Sequence, residues 1–307
     1  MTTASRPVYV VSVVKDDIAG LERTRASVSG QNYPSVVHLV VDGGSSDSVG
    51  AVKEVCGRSP GTWTVLAGPD RGIYHGMNRG LEQIPDGALV WYLNAGDFFL
   101  CEAAVQTAVQ VLGTRMWIGG PVLQVFPNGI LHGVSKGGPT YPLPRRNLMH
   151  LPAQPSVLAT KEALVEVGGF REDLTLASDA LLIHALADRW LASWYPDPLV
   201  GFVLGGRSAK GLEQALLELW SGRSRAAITP RERATAKYLA LKTKLRSAIG
   251  ASSLLSSVAR ARHSVVEQHA DLCHWRGHAS GQPLLDCCLQ MGSSPNESSH
   301  ERSIGLQ

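Results

Sequence analysis

Four short apolar segments alternate with helical patterns in the first 120 residues, and this alternation constrains the fold more than any other feature. The segments are VYVVSVV (8–14), VVHLVV (36–41), residues 62–67 and ALVWYL (88–93). Continuous apolar strands are typical of a sheet whose two faces are both covered. Strands that alternate with helices form right-handed parallel crossovers. The sequence therefore predicts an α/β fold with a Rossmann-like, mostly parallel central sheet flanked by helices.

The pattern changes after residue 113. Gly and Pro are frequent from 113 to 159, which predicts loops and short antiparallel strands. Helical patterns return near 160–167 and 178–190, a strand is expected near 199–204, and 211–250 has helical spacing again. The last residues are polar and lack the apolar content of a packed core. We therefore expect a globular domain over 1–209, a helical extension over 210–262 and a weakly ordered tail over 263–307.

The composition and termini restrict the class of protein. A chain of 307 residues with 44% hydrophobic residues has enough material for one large globular domain with an extension. The chain contains no run of about 18 apolar residues, so no transmembrane helix is predicted. The N-terminal residues lack the pattern of a signal peptide. Five cysteines without C-x-x-C spacing fit a reducing compartment. We expect a cytoplasmic protein, with peripheral attachment to the inner face of the cell membrane as one option.

Positive charge is concentrated near the C terminus. Segment 221–262 holds ten Lys and Arg and one acid, a net charge of +9, so the rest of the chain carries −6 of the overall +3. An anionic membrane surface and an ordinary solvated helix are the two interpretations of this segment. Nucleic acid is not an expected partner, because no reader motif is present. The His and Cys residues of 269–288 match no closed zinc pattern.

Three acids stand at strand ends: Asp16 after the first predicted strand, Asp42 after the second and Asp97 after the fourth. In an open parallel sheet, ligands bind at the carboxyl ends of the strands. Each acid alone could be a turn or cap residue. Three acids at one sheet edge favour a binding site.

Five segments resemble the family 2 glycosyltransferases with a GT-A fold, and most closely the colanic-acid-type branch. They are VVKDDIAGLERTRASVSGQNYPSVVHLVVDGGSSD (13–47), DRGIYHGMNRG (70–80), YLNAGDFF (92–99), HLPAQPSVLATKEAL (150–164) and GGFREDLTLASD (168–179). The match covers roughly residues 7–205. It implies a GT-A fold and the inverting transfer of a sugar from a nucleotide-diphosphate sugar, usually UDP-linked. The implied acceptor is a hydroxyl of a glycan, a lipid-linked glycan or a glycolipid.

The resemblance assigns a set of residues to donor binding: Lys15, Asp16, Asp42, Asp70, Arg71, Asn78 and Asn94. Asp42 would bind the uracil or the ribose, and Lys15 and Asp16 would line the same pocket. Arg71 would contact the diphosphate, for which a planar guanidinium is suited. Asn78 matches an Asn that either tightens its helix against the site or contacts the ligand.

The resemblance also implies a metal ligand and a catalytic base. Asp97 aligns with the last acid of the family's metal motif, while Asn94 and Gly96 stand where other branches carry acids. Asp97 would therefore hold Mg²⁺ or Mn²⁺ together with substrate phosphate. Asp179 matches the base that removes the acceptor proton. The alternative interpretation makes Asp179 a helix N-cap.

The acceptor side is assigned to His75, His150 and Gln154. The family's His and Gln are adjacent, whereas this chain spaces them as HLPAQ. Close relatives carry Asp at position 75, so His75 could change donor contacts or weaken activity. The alternative function is thus a catalytically weakened GT-A protein that binds nucleotide sugars or serves as a scaffold. A nicotinamide-dependent dehydrogenase is disfavoured, because no G-x-G-x-x-G follows the first strand.

Overall fold

The computed structural model describes residues 5–44, 48–127, 129, 131–135, 151–205, 211–224 and 228–250. His150, the His and Cys residues of 269–288 and the predicted tail 263–307 lie outside the described residues. The strands are β1 (Val8–Val14), β2 (Val36–Asp42), β3 (Thr62–Leu66), β4 (Leu89–Tyr92), β5 (Phe98–Phe99), β6 (Trp117–Gly119), β7 (Leu123–Val125), β8 (Leu131–Val134), β9 (Leu158–Thr160), β10 (Ser193–Trp194) and β11 (Val200–Val203). The helices are α1 (Ile18–Ser29), α2 (Ser48–Arg58), α3 (Ile73–Glu82), α4 (Ala104–Leu112), α5 (Lys161–Glu166), α6 (Ser178–Arg189), α7 (Leu212–Ser224) and α8 (Pro230–Gly250).

The larger sheet has the strand order β10-β6-β9-β4-β1-β2-β3. Strands β4, β1, β2 and β3 are parallel neighbours, and β6 is parallel to β10. Strand β9 runs antiparallel between β4 and β6. The prediction of a mostly parallel central sheet is confirmed.

The apolar runs of the strands are buried on both faces of this sheet. In β1, Val11 and Val13 pack with α3, α5 and α6 on one face. Val8 and Val10 pack with α4 on the other face. The alternating direction of side chains along a strand puts neighbouring residues into different layers. This burial explains why the first strands read as continuous apolar runs rather than as apolar–polar alternation.

A smaller sheet with the order β5-β11-β7-β8 lies beside the end of β4. Its strand β5 follows directly after Asp97 and pairs antiparallel with β11. A Cβ on Gly201 would lie 2.3 Å from the Phe98 ring, so this position of β11 has room only for glycine. Strand β7 pairs antiparallel with β8, as expected for this region, but parallel with β11.

Helix α4 begins at Ala104, two residues later than the pattern near 102–112 predicts. The carbonyls of Cys101 and Glu102 accept hydrogen bonds from Gln31 Nε2 (2.8 Å) and Asn32 N (2.9 Å). These long-range bonds hold residues 101–102 in a turn that connects β5 to the helix.

Two helices follow the smaller sheet. Helix α7 packs against α6, and α8 packs against α7. Helix α8 begins with a capping box in which Thr229 N donates to Glu232 Oε2 (2.9 Å) and Glu232 N donates to Thr229 Oγ1 (3.2 Å). Among the described residues, none of the helices combines the length and apolarity needed to cross a bilayer.

Candidate active site

The carboxyl ends of β1 and β2 meet at one edge of the larger sheet. Val14 is paired with Asp42 in the parallel register, and Gly43 N donates to Val14 O (2.9 Å). Asp42 is fully buried at this edge, while Lys15 and Asp16 are exposed. Asp42 and the Lys15–Asp16 pair therefore lie at adjacent strand ends, as predicted.

Asp16 adopts a left-handed backbone conformation with φ of 54°. Asp and Asn are the non-glycine residues that most often tolerate this region of backbone space. The conformation turns the chain from β1 into α1, whose N-cap is Asp17, with its Oδ1 accepting from Gly20 N (2.9 Å). The strand therefore ends in a sharp turn that leaves Lys15 and Asp16 at the surface of the sheet edge.

The Asp70 carboxylate lies between the end of β2 and the start of α3. A Cβ added to Gly43 would lie 2.2 Å from Asp70 Oδ2, and one added to Gly76 would lie 3.2 Å from it. Asp70 Oδ1 accepts from Gly72 N (3.2 Å). Because Gly43 and Gly76 have no side chains, the Asp70 carboxylate can lie against the end of β2, which carries Asp42.

Arg71 presents its guanidinium at the surface beside this acid. Its side chain is 75% exposed, and Nη2 lies 2.7 Å from Glu172 Oε2. Its backbone N donates to His75 Nδ1 (3.2 Å). His75 therefore closes the first turn of α3 against the loop, while the Arg71 guanidinium remains accessible to an anion.

Asn78 joins α3 to the loop in front of α6. Its Nδ2 donates to Phe170 O (2.8 Å) and to Glu172 Oε1 (3.0 Å), and its Oδ1 accepts from Phe170 N (2.9 Å). The amide is thus occupied by protein contacts. This geometry fits the interpretation that Asn78 tightens the helix against the site.

The turn Asn94–Asp97 is fixed by α1. Asp97 N donates to Asn94 O (3.0 Å), and Gly96 has φ of 105°. Thr24 Oγ1 accepts from Gly96 N (3.0 Å) and donates to Asp97 O (2.7 Å). A single buried hydroxyl therefore holds both sides of the turn that carries Asp97.

The Asp97 carboxylate is buried against the smaller sheet. Its Oδ1 accepts from Val203 N (3.0 Å). Burial raises the pKa of Asp97 to about 7, although the Val203 hydrogen bond and the charge of Arg23 oppose the rise. Burial makes the charged form of this carboxylate unfavourable, and a nearby cation would stabilise that form.

Asn94 lies in the same turn as Asp97 and carries a second side-chain oxygen. Its Oδ1 is buried and has no hydrogen-bond partner among the described residues. Carboxylate and amide oxygens are the donors that a hard dication prefers. The described part of the chain holds no group of three or more His, Cys, Asp or Glu that could hold a metal ion. Asp97 and Asn94 therefore fit a cation that takes its remaining ligands from phosphate and water.

Asp179 is the second residue of α6 and is half-buried. Its Oδ1 accepts from Tyr74 Oη (3.2 Å) and from Ala180 N (2.8 Å). Burial raises the pKa of Asp179, while these two hydrogen bonds oppose the rise. Ala177 is the N-cap of α6, so the alternative interpretation of Asp179 as the N-cap is wrong. The carboxylate is held in a fixed position with an elevated affinity for a proton.

Gln154 is buried at the end of β4. Its Nε2 donates to Tyr92 O (3.0 Å), and the neighbouring Pro155 O accepts from Trp91 Nε1 (2.7 Å). These bonds attach the turn 154–156 to the strand that leads to Asn94. The structure thus places Gln154 among the supports of the site, and His150 lies outside the described residues.

Sequence reasoning missed three residues that organise the site: Thr24, Tyr74 and Glu172. Tyr74 lies four residues before Asn78 on α3 and is buried, with its ring stacked on Phe170 at 5.8 Å. The i, i+4 spacing indicates that Tyr74 and Asn78 share a helix face. A tyrosine within an apolar helix face is normally interpreted as a core residue, so its role at the site was not predicted. Its bond to Asp179 spans 105 residues, and no local pattern could have indicated it.

The arrangement combines two kinds of acid. Asp42, Asp70 and Asp97 lie at strand ends or loops and can hold the hydroxyl, amide or cationic groups of a ligand. Asp179 lies at the start of a helix, where a carboxylate of raised pKa can take up a proton. An exposed guanidinium beside Asp70 can bind an anion. Such a site suits the transfer of a group from an anionic donor to an acceptor that loses a proton.

Known structures with the same fold include a mannosyltransferase and the protein TarS. The mannosyltransferase PcManGT from Pyrobaculum calidifontis, in complex with GDP-Man and Mn²⁺, has a TM-score of 0.56 and 18% identity; 96% of this chain and 89% of that chain are covered. TarS of S. aureus has a TM-score of 0.54 and 14% identity over 77% of this chain and 43% of that chain. A shorter TarS chain in complex with UDP-GlcNAc has a TM-score of 0.53. These likenesses confirm the predicted GT-A fold.

The sequence itself has curated relatives, although no protein-family model matches it. Over 184 residues the chain is 31% identical to an uncharacterized glycosyltransferase of Mycobacterium tuberculosis, in strains CDC 1551 and H37Rv alike. The alignment covers 58% of this chain and 67% of the relative. With its fold and this similarity, the chain belongs to the glycosyltransferases.

Proposed function

We propose that the protein is an inverting family 2 glycosyltransferase of the colanic-acid-type branch. It moves a sugar from a nucleotide-diphosphate donor, most simply a UDP-sugar, to a hydroxyl of a glycan, a lipid-linked glycan or a glycolipid. The observation that carries this proposal is the Asp179 carboxylate, which has a raised pKa and is held by Tyr74. The structural neighbours in complex with GDP-Man and with UDP-GlcNAc support a nucleotide-sugar donor.

In this reaction Asp179 is the general base. The acceptor oxygen forms a bond to the anomeric carbon as the bond from that carbon to the diphosphate breaks, and the hydroxyl proton passes to Asp179. Because Oδ1 already accepts two hydrogen bonds, the proton goes to Oδ2. The raised pKa makes the carboxylate a stronger base than an exposed aspartate.

Asp97 and Asn94 are the residues that would hold Mg²⁺ or Mn²⁺. When bound, such a dication offsets the negative charge that develops on the departing nucleoside diphosphate. The exposed Arg71 guanidinium contributes a second positive group toward the same diphosphate. Asp42 at the end of β2 would accept a hydrogen bond from the base or the ribose, with Lys15 and Asp16 beside it.

His75 argues against the catalytically weakened alternative. It is the third residue of α3, and its Nδ1 accepts from Arg71 N (3.2 Å) in front of the helix. A side chain at this position often reaches back to a backbone N–H before the helix. The carboxylate expected from the family at this position could make the same contact. The imidazole therefore preserves a structural contact of the donor loop.

A thermal-shift screen of nucleotide sugars with Mn²⁺ tests donor binding. A ligand that binds only the native state raises the melting temperature. We expect a UDP-sugar to do so in the wild type, and Arg71→Ala to weaken its binding about 10-fold, because a charged hydrogen bond to phosphate is lost. Arg58→Ala is the matched control, since Arg58 is also exposed and ion-paired, with Glu22 of α1 and Glu54 of α2. Equal affinities of the two variants would contradict the assignment of Arg71.

The exposed face of α8 supports a membrane partner. Tyr238 and Leu241 are 61% and 58% exposed, and Lys242 Nζ lies 5.9 Å from the centre of the Tyr238 ring. Exposed Arg231 and Lys237 lie on the same helix. Aromatic, aliphatic and basic side chains together are typical of helices that lie on anionic bilayers. We propose that segment 221–262 holds the protein at the inner face of the cell membrane, near a lipid-linked acceptor.

Cosedimentation with lipid vesicles tests this surface. We expect binding to vesicles of phosphatidylcholine mixed with phosphatidylserine, and less binding in high salt. Replacing Lys237 and Lys242 together by Gln should weaken binding roughly 30-fold, because each basic residue near the surface contributes about 1 kcal/mol. The control removes two charges from α2 with Lys53→Gln and Arg58→Gln. Equal loss in both double variants would indicate that α8 is an ordinary solvated helix.

A further inference from the structure

The start of helix α6, which carries Asp179, is not capped by the side chain of its N-cap residue. Its N-cap is Ala177, and no side chain of the cap accepts a hydrogen bond. The first N–H groups of a helix have no partner within the helix and need one elsewhere. The N–H of the N-cap residue Ala177 is one such group, and its acceptor lies on another element.

Glu218 of α7 supplies the missing acceptor. Its Oε2 accepts from three consecutive backbone N–H groups: Thr175 (3.1 Å), Leu176 (2.8 Å) and Ala177 (3.1 Å). Its Oε1 accepts from Thr175 Oγ1 (2.5 Å) and from Gln214 Nε2 (2.9 Å). Successive N–H groups that converge on one oxygen form a binding site for an anion. A carboxylate from outside the helix thus occupies this site.

Helix α7 is held close enough to α6 to keep Glu218 in place. A Cβ on Gly222 would lie 2.5 Å from Leu181 Cδ1, so the backbone of α7 contacts a side chain of α6 directly. Leu216 and Leu219 of α7 are buried. The buried leucines and the close approach at Gly222 therefore fix α7, which carries Glu218, against α6, which carries Asp179.

We propose that Glu218 is a positioning residue for the reaction proposed above, on which this inference rests. It fixes the start of α6 so that the Asp179 carboxylate stays beside Tyr74. Helix α7 then belongs to the catalytic unit, rather than to an appendage that could be removed without loss of activity.

The charge of Glu218 supports this role. The pKa of Asp179 is raised mainly by burial, and the negative charge of Glu218 raises it further. The other groups that interact with Asp179 are the Tyr74 hydroxyl from α3 and Ala180 N of its own helix. Without the Glu218 charge, Asp179 would lose its proton at lower pH. The rise of kcat with pH would then shift to lower pH as well.

Glu218→Gln and Glu218→Ala in the full chain test the inference by steady-state kinetics. We expect Glu218→Ala to lower kcat for sugar transfer roughly 10-fold or more, because small displacements of a catalytic group are costly. Glu218→Gln should lower kcat less, because its amide oxygen can still accept from the backbone N–H groups. The donor KM should stay near the wild-type value. The rising limb of the pH profile should move to lower pH. Glu213→Gln, the same change in the first turn of α7, should retain the wild-type kcat and pH profile.

Hydrogen exchange separates this role from a general loss of folding. In Glu218→Ala, the amides of 175–177 should lose protection while those of β1 and β4 keep it. If this variant loses the whole fold, the pH profile of Glu218→Gln decides, since Gln removes the charge but keeps an oxygen that accepts from the backbone. A wild-type pH profile in Glu218→Gln, or a wild-type kcat in a folded Glu218→Ala, would overturn the inference and leave the proposed function intact. A wild type that transfers no sugar would overturn both.

Discussion

Replacing Asp179 by Asn is expected to lower kcat for sugar transfer by about 10²- to 10⁴-fold, the usual contribution of a general base. An amide cannot take the acceptor proton. The fold should persist, because the Asn oxygen can still accept from Tyr74 Oη and Ala180 N. The donor affinity should also persist, because the Asn oxygen keeps the hydrogen bond from Tyr74 that links position 179 to the donor segment 70–80. The measurements are steady-state kinetics with a labelled nucleotide sugar and donor titration of each variant.

Asp188→Asn is the matched control for this experiment. Asp188 lies on the same helix α6 but is exposed to solvent. We expect this variant to keep the wild-type kcat, since surface substitutions away from the site change little. A kcat for Asp179→Asn close to that of Asp188→Asn would contradict the role of Asp179 as the base.

Asp97→Asn is expected to stabilise the metal-free protein by up to about 4 kcal/mol near neutral and higher pH. The pKa of Asp97 is about 7 in the native state, above the ordinary value of 3.8. Between these two values the unfolded chain has lost a proton that the native state keeps. The free energy of unfolding therefore falls as pH rises through this window, and the loss is complete above the native pKa. Asn carries no charge, so the variant escapes this loss.

Chemical denaturation in EDTA, at a series of pH values from about 4 to 8, measures this effect. The difference between Asp97→Asn and the wild type should be small at the acidic end and grow with pH. Asp188→Asn should follow the wild type throughout, because its carboxylate is exposed. Mn²⁺ should stabilise the wild type and not Asp97→Asn, and the variant should lose metal-dependent transfer. If the free energy of unfolding changes with pH in the same way in the wild type and in Asp97→Asn, a buried carboxylate of raised pKa at this turn is contradicted.

The first half of the fold could be predicted from the sequence because its central strands β1, β2 and β4 are largely buried on both faces. Such burial leaves continuous apolar runs, and the predicted bounds of β1, β2, β4 and the more exposed β3 agree with the structure to within a residue or two. Strands β5, β6, β9 and β10 have two or three residues each, too few for a periodic pattern. The antiparallel insertion of β9 between β4 and β6 depends on partners far away in the sequence.

The site shows the same division. Asp42 follows from the rule that ligand-binding residues stand at the carboxyl ends of parallel strands, and the structure places it there. The same rule indicates Asp97, but its role as a metal ligand and the role of Asp179 as a base rest on the resemblance to a family and remain proposals. The hydrogen bonds that hold these two carboxylates and influence their pKa join segments that are distant in the sequence. Val203 N donates to Asp97, and Tyr74 Oη donates to Asp179. A sequence pattern carries no information on such pairs.

The most direct test of inverting sugar transfer is proton NMR of the sugar that is released from UDP-GlcNAc and GDP-Man in the presence of Mn²⁺, with water as the acceptor. Spectra recorded before mutarotation identify the first anomer that is formed. We expect the anomer opposite to that of the donor, at a rate that falls in Asp179→Asn and stays unchanged in Asp188→Asn. Initial release of the anomer with the donor's own configuration would contradict the mechanism. Donors that stay intact and cause no thermal shift would contradict the function.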